Sequence, residues 1–192
     1  MIKSILKSVL LAGTTVILLS FDLPAGWFKA GDQPKSYEMG TDKGAGKEGK
    51  NAATIKSIDK TIKGFGTLMQ ECLPGKYLGR RVRMSGLMKS KDVVDRAGFW
   101  FRVDQPNPNQ SLSFDNMQDR AIRGTTDWKK YEIVLDVPAK ASNLAYGALL
   151  SGTGQIWFSN LKFEVVDNSV PTTDLVNNNM PLSEPTNLDF EK

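Results

Sequence analysis

Short runs of alternating apolar and polar residues, interrupted by Gly, Pro, Asn or Asp, recur from residue 36 to residue 166 and constrain this chain more than any other feature. Their two-residue period is that of a strand with one face buried, and no apolar stripe at helical spacing persists. The candidate strands are SYEMG (36–40), AATIKSI (52–58), FGTLMQEC (65–72), GRRVRMSGLMK (79–89), GFWFRVD (98–104), SLSFD (111–115), KYEIVLDV (130–137), NLAYGALLS (143–151) and QIWFSNLKFEVV (155–166). The joins LPGK (73–76), QPNPNQ (105–110) and SGTGQ (151–155) supply backbone conformations a strand cannot. Together these features predict an all-β fold, an antiparallel β-sandwich or jelly roll.

Alternation also assigns faces. Phe99, Phe101 and Val103 share one side of their strand, expected to face the core, and Trp100, Arg102 and Asp104 share the other. Tyr131, Ile133, Leu135 and Val137 form a second apolar face, while Arg81 and Arg83 oppose Val82 and Met84. In the last strand Ile156 and Phe158 differ in parity from Leu161, Phe163 and Val165. A bulge near Ser159 and Asn160 is predicted to return both sets to one core face.

The 192 residues suit one domain with appendages. Residues 1–20, MIKSILKSVLLAGTTVILLS, place Lys3 and Lys7 before an apolar run from Val9 to Leu19, the pattern of a signal peptide or N-terminal anchor. This predicts an exported chain, periplasmic or on the cell surface, with N-terminal membrane association open; a misassigned start codon would make it cytoplasmic. Without Lys3 and Lys7 the formal charge falls from +4 to +2. The β-sandwich is expected over 21–167, followed by a polar extension over 168–192. That extension ends in NLDFEK (187–192), which repeats the Leu-x-Phe-acid pattern of LSFD (19–22) and is expected to form an edge strand.

The composition excludes several chemistries. The chain has no histidine, which removes imidazole bases, histidine-containing triads and His-ligated metals. Its single cysteine, Cys72, excludes an internal disulfide and a cysteine zinc cluster. The run SFDNMQDR (113–120) has Arg120 where an EF-hand loop requires Gly, so that reading fails; calcium held by carbonyls and Asp side chains stays open. No cofactor is indicated. DKGAGKEGKNA (42–52) lacks the Gly-Lys-Ser/Thr end of a phosphate loop. The basic stretch GRRVR (79–83) comes without a recognition helix or stacking motif, so nucleic acid is not an expected partner.

Two readings of SFDNMQDR remain. Its Asn and Asp side chains are the type that close loops on nearby backbone N–H groups. Alternatively, Asn116, Gln118 and Arg120 provide directional hydrogen-bonding groups beside the strand that displays Trp100 and Arg102. With Trp157, whose ring also opposes its strand's core residues, these six form the candidate ligand-binding set. Packing is the alternative for both indoles, and Trp27 and Trp128 are expected to cover the ends of the sandwich.

LPAGWFKAG, GFGTLMQ, PGKYLGRRVRMSGLMK, AGFWFRVD, FDNMQDRAIRGTTDWKKYEIVLDVP and GALLSGTGQIWFSNLKFEVVD, in this order, resemble a bacterial galactose-binding-like jelly-roll family. Its members stand alone, often under a transcriptional-regulator label, or precede catalytic domains of secreted esterase-like and peptidase-like proteins. The likeness covers residues 19–192. A more distant similarity is to carbohydrate-binding modules, whose last strand reads Val-Trp-hydrophobic-Asp-Asp; here the stretch is Ile156-Trp157-Phe158-Ser159-Asn160, with both acids replaced. The resemblance implies a non-catalytic extracytoplasmic binding module for carbohydrate or another polar cell-envelope ligand. The alternative is a structural or protein-interaction domain without a small-molecule site.

Overall fold

A computed structural model of the chain describes residues 21–107 and 111–176. The N-terminal segment 1–20 and the edge strand expected at 187–192 lie outside the described residues. The strands are β1 (Phe28–Gly31), β2 (Tyr37–Asp42), β3 (Ala52–Ser57), β4 (Phe65–Cys72), β5 (Arg80–Asp104), β6 (Ser111–Asp115), β7 (Ile122–Val137), β8 (Asn143–Ser151) and β9 (Gln155–Val166). The expected strands at 79–89 and 98–104 are the two ends of β5. Residues between them stay extended and bend at Asp92, whose φ is 52°, instead of closing a turn. The four-residue β1 was not expected, since FKAG is too short to show a period.

All pairings are antiparallel, and β5 belongs to both layers of a β-sandwich jelly roll. Its N-terminal half pairs with β7 and β9, and β9 continues through β3 to β2. Its C-terminal half pairs with β6 and β8, and β8 continues through β4 to β1. The fold class and the assigned core faces agree with the alternation: Phe99, Phe101, Val103, Ile133, Leu135 and Val137 are all buried between the layers.

Aromatic contacts join the two layers through β9. The Phe158 ring meets Phe99 at 5.9 Å, and Phe163 meets Phe101 at 5.4 Å and Tyr146 at 4.7 Å, each near edge-to-face. Phe158 and Phe163 share a face because β9 bulges at the predicted place. Ser85 and Leu87 of β5 pair with Lys162 and Ser159, so three steps along β9 oppose two along β5, and Asn160 takes φ 55°. Trp27 packs on Tyr146 and Phe158, each at 5.9 Å, and covers that part of the core.

The start of the polar extension is fastened to the sandwich. The Arg81 guanidinium donates to the carbonyls of Asn168 and Val170 and to both oxygens of Asp136. Further along, the N–H of Thr173 donates to the Val134 carbonyl and that of Leu175 to the Phe114 carbonyl, which ties the segment to β7 and β6. Val134 belongs to the outer face by alternation yet is buried where this segment crosses it.

Tyr37 on β2 donates its hydroxyl to the carbonyls of Gly64 and Gly152. Burial, reinforced by the negative charges of Asp32 and Asp95, pushes its phenol up to about 12 from 10.0. Below pH 10 the folded and unfolded chains both keep this proton. Between about pH 10 and 12 the unfolded chain loses it first, so stability falls by about 1.4 kcal/mol per pH unit from this group. Urea unfolding at several alkaline pH values is expected to show a shallower decline for Tyr37→Phe; parallel declines would overturn this assignment.

Candidate ligand-binding cleft

The outward face of the β1-β4-β8-β5-β6 layer carries a cleft of about 420 Å³. Its lining follows from strand parity. Phe65, Thr67, Met69 and Glu71 project outward from β4, and Arg96, Trp100 and Arg102 project outward from β5, opposite the buried Phe99, Phe101 and Val103. Phe28 and Ala30 of β1 stand at one edge, and Phe114 and Asn116 at the other.

Trp100 forms the floor. It pairs with Gly147 on β8, yet its indole Nε1–H donates to Thr67 Oγ1 on β4 at 2.8 Å, so the ring spans the intervening strand. Gly147 permits this close layer, because a Cβ there would stand 2.3 Å from the Leu68 carbonyl oxygen. The Thr67 hydroxyl itself donates a hydrogen bond to the Ala148 carbonyl, which fixes the acceptor beneath the indole. Only 7% of Trp100 is accessible, so the ring is packed beneath the cleft, as the packing alternative had it, and forms a recessed floor. Met69, Ala145 and Leu149 pack beside it, with Phe65 and Phe114 half-buried on the flanks.

The polar groups of the cleft differ in how far they are already occupied. Arg102 places Nε 2.7 Å and Nη2 3.1 Å from the two oxygens of Asp104, on the same strand face. Asn116 accepts the Gln118 N–H through Oδ1, closing the loop, while its side-chain N–H₂ group has no partner among the described residues. Gly98 lets this loop approach, since a Cβ there would lie 3.1 Å from that of Met117.

The structure separates the six candidate residues. Trp100, Arg102 and Asn116 line one cleft, whereas Gln118, Arg120 and Trp157 do not. Gln118 is exposed on a single 3-10 turn outside the cleft lining. Arg120 is occupied internally: Nη2 donates to the wholly buried Asp115 at 2.5 Å and to the Glu132 carbonyl at 3.0 Å, and Nη1 reaches Asp119 at 2.9 Å. Burial alone would weaken this guanidinium's hold on its proton, but the bonds and charges of Asp115 and Asp119 outweigh it and raise its pKa above the ordinary value. Asp115 also accepts the Met117 N–H at 2.7 Å, as the loop-closing reading required.

Trp157 lies on the other layer, between β3 and β5. Its Nε1–H donates to Asp42 at 2.7 Å, and the Lys89 ammonium sits 4.6 Å from its ring centroid and 5.2 Å from that of Trp128. Trp157, though in the candidate ligand-binding set, therefore stands apart from the Trp100 cleft, because the two strands present these rings on opposite outer faces of the sandwich.

Sequence reasoning missed Phe28, Phe65, Thr67, Glu71, Arg96 and Phe114. The parity of FGTLMQEC carried three of them, and extending the parity of GFWFRVD two residues back reaches Arg96. The interior role of the Asp115–Arg120 pair has a measurable consequence. Asp115→Ala removes the buried carboxylate from half-buried Arg120, leaving it only the exposed Asp119 and the Glu132 carbonyl, and strips the Met117 N–H of its acceptor, and is expected to cost about 3 kcal/mol in urea unfolding. Gln118→Ala is expected to stay within about 0.5 kcal/mol. Equal effects would contradict this division.

No family model matches the chain. It is 43% identical over 168 residues to the Uncharacterized HTH-type transcriptional regulator YbfP of Bacillus subtilis (strain 168), covering 87% of this chain and 57% of that protein. The chain thus spans little more than half the length of this curated relative. Among solved structures, it resembles the CBM22-1 xylan-binding domain from Paenibacillus barcinonensis Xyn10C, with a TM-score of 0.54 and 15% identity over 77% of this chain and 90% of that one. A CBM22-1–GH10 structure of Clostridium thermocellum Xyn10B complexed with xylohexaose gives 0.53 and 11% over 74% of this chain and 26% of that one. The enzymatically active domain of tailspike protein 4 of bacteriophage CBA120 gives 0.56 and 13% over 74% of this chain and 20% of that one. The strand pairings and these shared architectures together show that the chain is an antiparallel jelly-roll β-sandwich, the fold it has in common with the CBM22-1 domains.

Proposed function

We propose that this protein binds a carbohydrate chain in the Trp100 cleft, without catalysing a reaction on it. The observation that carries the reading is a cleft flanked by half-buried Phe65 and Phe114 above the recessed Trp100 indole, whose edge offers the free Asn116 N–H₂ group. A sugar presents apolar C–H faces and directional hydroxyls, and this surface matches both. The names of two structural neighbours, a xylan-binding domain and a module complexed with xylohexaose, support the same ligand class. Glu71 is the one carboxylate among the cleft-lining residues, whereas hydrolysis by paired acids requires two across the bond.

The site of action we propose is the cell envelope, supported by the basic and apolar pattern of residues 1–20. A second reading follows from the relative named as a transcriptional regulator, of which this chain matches 57%. Under it the same cleft senses a saccharide for an attached domain inside the cell. Fractionation of cells producing the full chain separates the two, since recovery in the cytosol contradicts export and recovery in the envelope contradicts intracellular sensing.

A glycan array followed by isothermal titration with purified protein tests the binding itself. Asn116→Ala and Phe114→Ala are each expected to weaken saccharide binding about tenfold, about 1.4 kcal/mol, while far-ultraviolet circular dichroism stays unchanged. Thr67→Val should weaken it as well by releasing the indole. Saccharide binding unaffected by all three would move the site elsewhere, and the absence of any glycan ligand would overturn the proposal.

A further inference from the structure

We propose that the saccharide held in this cleft carries an oxyanion, seated on Arg96. This rests on the reading of the cleft as a glycan site and adds the chemical class of the glycan and its direction along the groove.

Of the two arginines that line the cleft, Arg96 is the one without a partner among the described residues. Arg81 is held by Asp136, Arg102 by Asp104 and Arg120 by Asp115, while Arg83 lies 3.4 Å from Glu132. Arg123 donates to the Asp95 carbonyl. Among the described residues, the Arg96 guanidinium meets neither a carboxylate nor a hydrogen-bond acceptor. Arg80 also has none, but it is exposed and water serves it. Arg96 is instead half-buried on the cleft wall, in a row with Ser151 and Phe65. A cleft-wall guanidinium with no counter-charge can donate to an oxyanion, because its planar fork matches two oxygens at once.

The remaining charges give the cleft a polarity. Asp104 already neutralises Arg102, and Glu71 lies in the same cross-strand row as Arg102, at the end away from Arg96. An anionic group is therefore attracted at one end and repelled at the other. Six residues of extended β5 separate Arg96 from Arg102, about 20 Å, and four separate it from Trp100, about 13 Å. An oligosaccharide lying along this span would cover the Trp100 end of the cleft and set its charged residue at the Arg96 end. A uronate carboxylate and a phosphodiester between polyols share the required chemistry of a singly charged oxyanion.

The test is isothermal titration of the full chain with three oligomers of matched length: a uronate oligosaccharide, the same oligosaccharide after reduction of its carboxyl groups, and a polyol-phosphate oligomer. At low salt at least one charged oligomer is expected to bind about tenfold tighter than the reduced one, and added salt should narrow the gap. Arg96→Gln should remove that preference and Arg96→Lys restore only part of it, since an ammonium lacks the fork. The tighter of the two charged oligomers assigns the oxyanion to carboxylate or phosphate. Equal binding of charged and reduced oligomers, or a preference that survives Arg96→Gln, overturns the oxyanion proposal but leaves a neutral glycan site. Failure of all three, together with an empty glycan array, overturns both readings.

Discussion

Every layer of this protein is organised around β5, a strand long enough to belong to both sheets. Its first half forms the centre of one layer between β7 and β9, and its second half lies between β6 and β8 in the other. The bend at Asp92 changes sheets without ending the strand. Because side chains alternate, the same residues that send Phe99, Phe101 and Val103 into the core send Arg96, Trp100 and Arg102 onto the cleft. Core and site are thus two faces of one constraint, and a change in the register of β5 would exchange them.

The bulge in β9 serves the opposite layer in a comparable way. Without the left-handed residue at Asn160, Phe163 would point away from Phe158, and the ring contacts to Phe101 and Tyr146 would be lost. Those contacts brace the inner side of β5 and β8, whose outer side carries the Trp100 floor. The polar loop after β6 contributes by a different means. Asp115 and Arg120 spend their charges on each other and on nearby backbone, and so hold the loop that brings Asn116 to the cleft edge. Residues with the strongest apparent chemistry hold the loop, while a neutral amide lines the cleft.

This division also explains why the two indoles differ. Trp100 keeps its ring along the sheet by donating to Thr67, with glycine beneath it, and the space above remains open as a cleft. Trp157 donates to Asp42 and carries the Lys89 ammonium over its face, so that ring is already occupied. Identical side chains at identical strand parity acquire different availability from what neighbouring strands place beside them.

The alternation of the sequence by itself determined the all-β class, the buried set from Phe99 to Val103, the apolar face from Tyr131 to Val137 and the bulge near Asn160, because strand periodicity is a local property of the backbone. It also placed Trp100, Arg102 and Asn116 beside one another through a single hairpin. Only the tertiary structure decided that 79–89 and 98–104 are one strand, since an extended bend and a turn use similar residues. Tertiary structure alone also withdrew Arg120 from the surface, put Trp157 on the far layer and brought Phe28, Phe65 and Arg96 to the cleft. Those placements depend on pairings between residues far apart in the chain, such as β4 with β8 and β1 with β4. Periodicity gives each strand two faces, but which strands stand side by side, and hence which side chains share a surface, is settled by packing of the whole sandwich.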